Sequence, residues 1–341
     1  MQHPFVKVAA AHAAPVFMDR SRTASKAVSL IAEARRNGAD IIVFPESFLP
    51  GFPVWCAYRA PIDNHDFFRL FVDNSIYVDG PEISFIRAAA QEHDIFVSFG
   101  FSERSHASVA CLWNSNILID NQGVIINHHR KLVPTFFEKM VWAAGDGAGL
   151  KVCETKIGNI GGLICGENTN PLARFSLIAQ QEQIHISTWP ALWPTHRPGE
   201  IKNFDNVAAN RLRASAHSFE AKAFSIISAG YMDDAMRDLL AEKSAEAAEL
   251  LNNSPRAETL FVNPRGVVIG DVLRNSEGIA YANFDLAECI EPKQFHDTSG
   301  YYNRFDVFDL KINRKRLQPV TFNNVAEDLS FLKESQANIE F

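Results

Sequence analysis

One cysteine of this chain stands where chemistry is feasible. The run Asn159-Ile160-Gly161-Gly162-Leu163-Ile164 reads as a buried strand that ends at Cys165-Gly166-Glu167-Asn168, and Pro171 opens a helix soon after. A thiol at that corner lies near the backbone N–H groups of the following turn and near a helix N-terminus; both favour thiolate and could hold a negatively charged intermediate. Most free cysteines are inert packing residues, and position alone leaves that reading open for Cys165. The same corner occurs twice more. Ile41-Ile42-Val43-Phe44-Pro45 leaves a buried strand through a proline with Glu46 at its edge, and the stretch Ile125 to Lys131 leaves Lys131 just ahead of Pro134. Taken alone, Glu46 could cap a turn and His129-Arg130-Lys131 could be a solvated basic edge. With a cysteine in a matching place they point to one site, because open α/β sheets collect ligands outside the carboxyl ends of their strands.

Other chemistries are excluded by their motifs: the chain holds no G-x-S-x-G elbow, no G-x-x-x-x-G-K-[ST] loop and no H-E-x-x-H helix. Gly145-Asp146-Gly147-Ala148-Gly149 lacks the third glycine of a dinucleotide turn and follows no clear strand, so it reads as a flexible loop. His128 and His129 point opposite ways on a strand, which makes them a poor metal pair and gives His129 a structural or orienting role.

The elements that must position these residues follow from periodicity. Phe5 to Ala10 reads as a strand, Ser21 to Asn37 as a helix stopped by Gly38, and Ala39 to Phe44 as a strand buried on both faces. A helix over Glu82 to Asp94 feeds a strand at Ile95 to Phe101. The strands Cys111 to Ile119 and Val124 to Asn127 then flank the hairpin turn Asp120-Asn121-Gln122-Gly123. Strands are expected at Leu150 to Lys156, Asn159 to Ile164, Ile184 to Thr188, Phe224 to Ala229, Leu260 to Val262, Val267 to Val272 and Ala280 to Phe284. Helices are expected at Leu172 to Gln181 and Asn206 to Ala223, and Asp233 to Leu251 reads as a helical surface excursion. No linker or repeat interrupts this alternation, which predicts one α/β domain over residues 1–320 and a loosely held tail at 321–341.

Composition narrows the partners. The 341 residues carry 33 Lys+Arg against 40 Asp+Glu, a net of −7, so the basic field that nucleic acid or an anionic membrane surface would require is missing. The longest apolar runs are strand-sized, far short of the ~20 residues of a membrane span. Lys7 and His12 interrupt the apolar start, which disfavours a signal peptide. Five cysteines, an odd number without pair spacing, fit a reducing cytoplasm.

Phe44-Pro45-Glu46, His129-Arg130-Lys131-Leu132-Val133-Pro134-Thr135 and Gly161-Gly162-Leu163-Ile164-Cys165-Gly166-Glu167-Asn168 resemble, in order and spacing, the three signature segments of the nitrilase superfamily. The resemblance runs from about Val6 to Phe308, and His-Arg-Lys-Leu-x-Pro-Thr is more similar to the nitrilase branch than to the amidase or carbamoylase branches. It implies a four-layer α-β-β-α sandwich, dimers paired through helices, and extension into spiral homo-oligomers. It further implies Cys165 as nucleophile, Glu46 as general base, Lys131 as the cation beside the intermediate and Glu138 as an additional glutamate. The implied reaction converts a nitrile to its carboxylic acid and ammonia through a thioimidate and a thioester on Cys165, with no metal or organic cofactor.

Many nitrilases carry Trp after the cysteine; Gly166 departs from them and resembles a subset acting on arylacetonitriles. With 26 Phe in the chain and Trp55, Phe136 and Trp189 in or near the signature segments, an apolar pocket for aromatic nitriles or arylacetonitriles is expected, bounded by Trp55, Phe136, Gly166 and Trp189. Amide hydrolysis or cyanide hydration by the same three residues is the nearer alternative, and a non-catalytic oligomeric scaffold the more distant one.

Overall fold

The computed structural model describes residues 3–197, 204–242 and 244–320; the tail expected at 321–341 lies outside them. In chain order the elements are β1 (Phe5–His12), α1 (Arg20–Arg36), β2 (Ile41–Val43), α2 (His65–Asn74), α3 (Pro81–Glu92), β3 (Phe96–Arg104), β4 (Leu112–Ile119), β5 (Ile125–Arg130), β6 (Cys153–Thr155) and β7 (Gly158–Ile164). There follow α4 (Pro171–Ile178), β8 (Ile184–Trp189), α5 (Asn206–Ala221), β9 (Phe224–Ala229), α6 (Asp234–Ala241), α7 (Ala245–Asn253), β10 (Thr259–Val262), β11 (Val268–Leu273) and β12 (Gly278–Asp285).

The strands form two six-stranded sheets of order β12-β1-β2-β3-β4-β5 and β11-β10-β9-β8-β7-β6. In each sheet the three strands that run parallel, β1-β2-β3 and β7-β8-β9, are extended by antiparallel neighbours. Apolar side chains on their facing surfaces interdigitate: Val8, Ile41, Val43 and Phe96 from the first sheet meet Ile160, Ile186, Phe224 and Ile226 from the second. The outer face of the first sheet is covered by the Ala-rich stripes of α1 and α3 through Ala27, Ile31, Ile86 and Ala90. On the other side Ala173 and Leu177 of α4 close over Leu163, and Ala214 of α5 packs with Ile227 and Leu260. The result is helix, sheet, sheet, helix, the α-β-β-α sandwich that the alternation and the resemblance imply.

Three expectations change. The stretch expected to be a surface excursion contributes two packed helices, α6 and α7. Met236 and Leu240 of α6, with Leu250 and Leu251 of α7, are buried against Trp55, Phe67, Phe71 and Trp193, so its polar composition describes only the outward face. The strand expected over Leu150 to Lys156 is confined to Cys153–Thr155, because Leu150 instead packs with Leu163 and Leu177 beneath α4. Helix α2 was not anticipated; Phe67 and Phe71, four residues apart, bury its apolar stripe.

Candidate active site

Two of the three corners are shaped by a close backbone approach and the third by a side-chain amide. Beyond β2 the chain turns through Phe44-Pro45-Glu46, and a Cβ at Gly100 of β3 would come within 2.3 Å of the Pro45 carbonyl oxygen. Glycine there lets the neighbouring strand pass directly under the corner that carries Glu46. Lys131 follows β5, where its N–H donates to the Asn114 carbonyl (2.8 Å) and its carbonyl accepts from the Gly145 N–H (2.8 Å). The loop 145–149, expected to be flexible, is packed: a Cβ at Gly145 would clash with the Arg130 carbonyl at 2.4 Å, and one at Gly149 with His129 at 2.4 Å. Its glycines are there for contact with the strand that ends at Lys131.

Cys165 opens the turn after β7 in the left-handed region, with φ +51°. That conformation costs an L-residue about 1 kcal/mol or more, so the surroundings must hold it. The Asn168 side-chain amide does so, donating to the carbonyls of Leu163 (3.2 Å) and Cys165 (3.0 Å).

Glu46 and Lys131 leave the same edge of one sheet and Cys165 leaves the other sheet, yet their side chains converge. The Lys131 ammonium donates to Glu46 Oε1 at 2.7 Å and to both Glu138 oxygens at 2.9 and 2.7 Å. One carboxylate oxygen of each glutamate and the Cys165 sulfur lie within 4.8 Å of one another. All four residues are buried. Asn114 Nδ2 donates to the same Glu46 Oε1 at 2.7 Å, and the Thr135 N–H donates to Glu138 Oε2 at 3.0 Å. Glu46 Oε2 is buried without a protein hydrogen-bond partner, so one carboxylate oxygen of the cluster is bare.

Two carboxylates and a thiol around one ammonium leave an excess of negative charge in a dry site, and the proton affinities follow. Burial and the Glu46 carboxylate push the Cys165 thiol well above its ordinary value, outweighing Lys131, so the resting sulfur keeps its proton. Burial, with the repulsion of Glu46, raises Glu138 to about 7 against the pull of Lys131. Desolvation alone would lower the Lys131 ammonium, but the negative charge its neighbours can carry, a Cys165 thiolate once formed and the Glu138 and Glu46 carboxylates, overrides it and holds the lysine well above the usual range.

A third carboxylate ties two of the corners together. Glu167 accepts from the Leu132 N–H (2.6 Å), the Ile164 N–H (2.8 Å) and His129 Nε2 (2.9 Å). It therefore joins the residue after Lys131 to the residue before Cys165. Burial works against its charge, yet His129 and the backbone donors hold the carboxyl below its ordinary value. His129 is thereby an orienting group. Its neighbours His128 and Arg130 turn the other way, to Glu103.

The four residues expected to bound a pocket are not gathered in one place. Trp189 is buried in the same apolar cluster as Cys165 and Ile164, with Nε1 donating to Ser187 Oγ at 2.7 Å. A Cβ on Gly166 would stand 2.8 Å from Thr135 Oγ1, so the space beside the nucleophile corner is taken up by the loop that carries Glu138. Trp55 belongs to the aromatic cluster of Phe17, Phe67 and Phe71, stacked on Phe67 at 5.3 Å. Phe136 is 68% exposed and touches Phe137 edge-on. Sequence reasoning missed Asn114, the Glu167 brace and Arg213. The guanidinium of Arg213 lies over the Trp189 ring at 5.1 Å, and its Nε donates to Thr169 at the end of the Cys165 turn at 2.7 Å.

Comparison with known proteins places this architecture. The carbon-nitrogen hydrolase family matches residues 7–294. A nitrilase of Penicillium rubens is 34% identical over 324 residues, covering 93% of this chain and 96% of that protein. A bromoxynil-specific nitrilase of Klebsiella pneumoniae subsp. ozaenae is 35% identical, with 92% and 87% covered, and an arylacetonitrilase of Hypocrea virens is 32% identical, with 94% and 95% covered. Among solved structures, the NitFhit protein of C. elegans superimposes with a TM-score of 0.65 at 18% identity, over 94% of this chain and 70% of that one. A carbon-nitrogen hydrolase from Helicobacter pylori gives 0.65 at 17% identity, over 86% and 94%. Sequence and architecture agree: this chain belongs to the carbon-nitrogen hydrolase family.

Proposed function

We propose that the protein is a nitrilase that converts a nitrile into its carboxylic acid and ammonia, with aromatic nitriles and arylacetonitriles as the first substrate class. The observation that carries the reading is the bare Glu46 Oε2 in a dry cluster with Lys131, Glu138 and the Cys165 sulfur. A nitrile carbon is a modest electrophile and a protonated thiol a modest nucleophile, so proton removal must accompany attack. Glu46 takes the Cys165 proton as sulfur bonds to carbon. One C–N π bond opens, and the nitrogen receives the proton from Glu46 to give a thioimidate. Lys131 faces the charge that grows on nitrogen, already oriented by two carboxylates and needing no rearrangement. Water deprotonated by Glu46 adds to the thioimidate carbon and Glu46 passes that proton to nitrogen, giving a tetrahedral carbon that bears OH and NH2. The hydroxyl proton is then transferred through Glu46 to nitrogen as the C–N bond breaks, releasing ammonia and leaving a thioester that a second water cleaves to acid and thiol. Glu138 fixes the ammonium and shares its charge.

Relatives called nitrilases support nitrile hydrolysis and two called arylacetonitrilases support this substrate class, as does the buried indole of Trp189 in the same apolar cluster as Cys165. The test is ammonia, acid and amide release from a panel containing phenylacetonitrile, a short alkyl nitrile and the matching amides, with intact-mass analysis of Cys165. Acid from phenylacetonitrile together with a substrate adduct on Cys165 is expected; ammonia from amides and none from nitriles would overturn the reading. In Cys165→Ala turnover should vanish while the circular dichroism spectrum stays unchanged.

Residues 1–320 act in this reading as a single domain in the cytoplasm, consistent with five unpaired cysteines. Self-association into dimers and longer homo-oligomers is supported by the exposed apolar side chains Leu172 on α4 and Leu212 and Phe219 on α5. A sizing measurement that finds only monomer would remove it. Among the described residues no helix is long and apolar enough to cross a membrane.

A further inference from the structure

Behind the site lies a second buried polar cluster that the reaction above does not use. His185 of β8 sits with Nδ1 2.8 Å from Glu182 Oε1 and Nε2 2.8 Å from Asn168 Oδ1. The second oxygen of Glu182 accepts from His217 Nε2 of α5 at 2.7 Å, and the two imidazole rings are 3.7 Å apart. All four residues are buried. The orientation of Asn168 is set by its two N–H bonds to the carbonyls of Leu163 and Cys165, which leaves its oxygen, an acceptor, toward His185. Both ring nitrogens of His185 thus face acceptors, and a ring that satisfies both must carry two protons. Glu182 supplies the counter-charge: burial opposes its ionisation, but the two imidazoles hold its carboxyl at about 2. His217, with Nδ1 unpartnered, is kept neutral, burial and the neighbouring His185 lowering it to about 4. The site is built for this ion: a Cβ at Gly161 would come within 2.2 Å of Glu182 Oε1, so the glycine beneath it makes room for the carboxylate.

We propose that His185, protonated on both ring nitrogens and neutralised by Glu182, is a positioning residue that locks the Asn168 amide and through it holds Cys165 in the left-handed conformation aimed at substrate. The chain of contacts is short. A cation bonded to the Asn168 oxygen polarises the amide and strengthens its two donated bonds, one of them to the carbonyl of Cys165 itself. Loss of that grip lets the Cys165 backbone relax from φ +51°, which moves the sulfur away from Glu46 without removing any group that touches substrate. The inference rests on the reading of Cys165 as nucleophile.

The test measures single-turnover formation of the Cys165 adduct with phenylacetonitrile in wild type, His185→Gln, Asn168→Asp and the double variant, each checked for fold by circular dichroism. In His185→Gln adduct formation should slow about 100-fold with KM within about threefold of wild type, and the double variant should be no slower than Asn168→Asp alone. An adduct formed at the wild-type rate in folded His185→Gln, or effects that multiply in the double variant, would overturn the proposal. A neutron structure of the wild-type protein decides the point even if the variants do not fold: hydrogen on both His185 nitrogens supports the role, and hydrogen on only one defeats it. The wild-type adduct separates the two claims, since its absence removes the nucleophile reading, whereas its presence with an unchanged rate in His185→Gln removes the positioning role alone.

Discussion

The end of strand β5 and the residue that follows it reach two buried ionic clusters that differ in charge balance. On one side His128 and Arg130 converge on Glu103, which also accepts from Ser115 Oγ at 2.5 Å; His128 Nε2 is at 2.7 Å and Arg130 Nη2 at 2.5 Å. One carboxylate receives all the donors, and although burial opposes its charge, His128 and Arg130 hold it at about 2. On the other side Lys131, the next residue, serves two carboxylates and faces a thiol, and one Glu46 oxygen is left bare. The first cluster is fully neutralised and can only stabilise. The second is short of cations, so it keeps a base unsatisfied, a thiol protonated and a carboxyl near 7. Surplus negative charge is what distinguishes a reactive cluster from a structural one only a residue away.

The comparison breaks most sharply at Lys131. Lys131→Met leaves Glu46 and Glu138 facing each other without a counter-ion, so both the stabilisation of nitrogen charge and the orientation of the base are lost. A fall in kcat on the order of 10³-fold is expected, measured as ammonia release. Next come the two glutamates, whose effects should be inverse. In Glu46→Gln the rate should drop by about 10²–10⁴ while urea denaturation shows stability equal to wild type or higher by about 1 kcal/mol, because a surplus charge is removed. Glu103→Gln should keep kcat within about threefold of wild type and lose about 2–3 kcal/mol, less than a fully dry pair since Arg130 and His128 retain some solvent contact. Equal stability losses in the two variants would erase the distinction.

Acidity sharpens the same contrast. The carboxyl of Glu103 is depressed in the folded protein, from an ordinary 4.5 to about 2. Its stabilisation is therefore present above about pH 4.5 and is lost as pH falls toward 2. Glu138 is raised to about 7, so the folded state binds its proton more tightly than the unfolded chain does; that contribution is present at low pH and disappears as pH rises from about 4.5 through 7. Melting temperatures measured across pH should thus lose part of their acid-side fall in Glu103→Gln and part of their decline toward neutrality in Glu138→Gln. A Glu138→Gln curve parallel to wild type between pH 4.5 and 7 would show that the surplus charge resides elsewhere.

The polar residues of the site were legible because their types are conspicuous at the ends of buried strands. Glu46 and Cys165 each follow an apolar run that fixes where the chain turns, whereas Lys131 ends the polar stretch Asn127 to Arg130 and stood out through its place ahead of Pro134 in the family-like segment; two sheets with aligned carboxyl edges bring such ends together. The layers were legible for the same reason, since period and run length report burial. What was not legible depends on contacts between distant segments. Asn114 is an ordinary polar position on a strand until Glu46 turns out to lie against it. The brace formed by Glu167 could have been sought by asking what satisfies the N–H groups of Ile164 and Leu132 at buried strand ends. The glycines of 145–149 resemble any loose loop until the strand beneath them is known, and the charged composition of 233–251 conceals the few apolar side chains that anchor it.

The smallest expected effect concerns Gly166, which the sequence led us to expect on the wall of an aromatic substrate pocket. The structure has Thr135 Oγ1 where a Cβ would project, at 2.8 Å, and Thr135 also donates its N–H to Glu138. Gly166→Ala must therefore displace the Thr135 hydroxyl by a few tenths of an ångström, and the displacement is passed to the carboxylate that fixes Lys131. The Thr135 side chain can rotate, which keeps the cost low. We expect kcat to fall about three- to tenfold with phenylacetonitrile, with stability within about 1 kcal/mol of wild type. If the cause is the push on Thr135, then Thr135→Ala, which removes the obstructing oxygen, should restore most of the rate in the Gly166→Ala background. A double variant as slow as Gly166→Ala would instead mean that the glycine serves the substrate side of the corner, and the cation-poor cluster would be insensitive to the loop that carries Glu138.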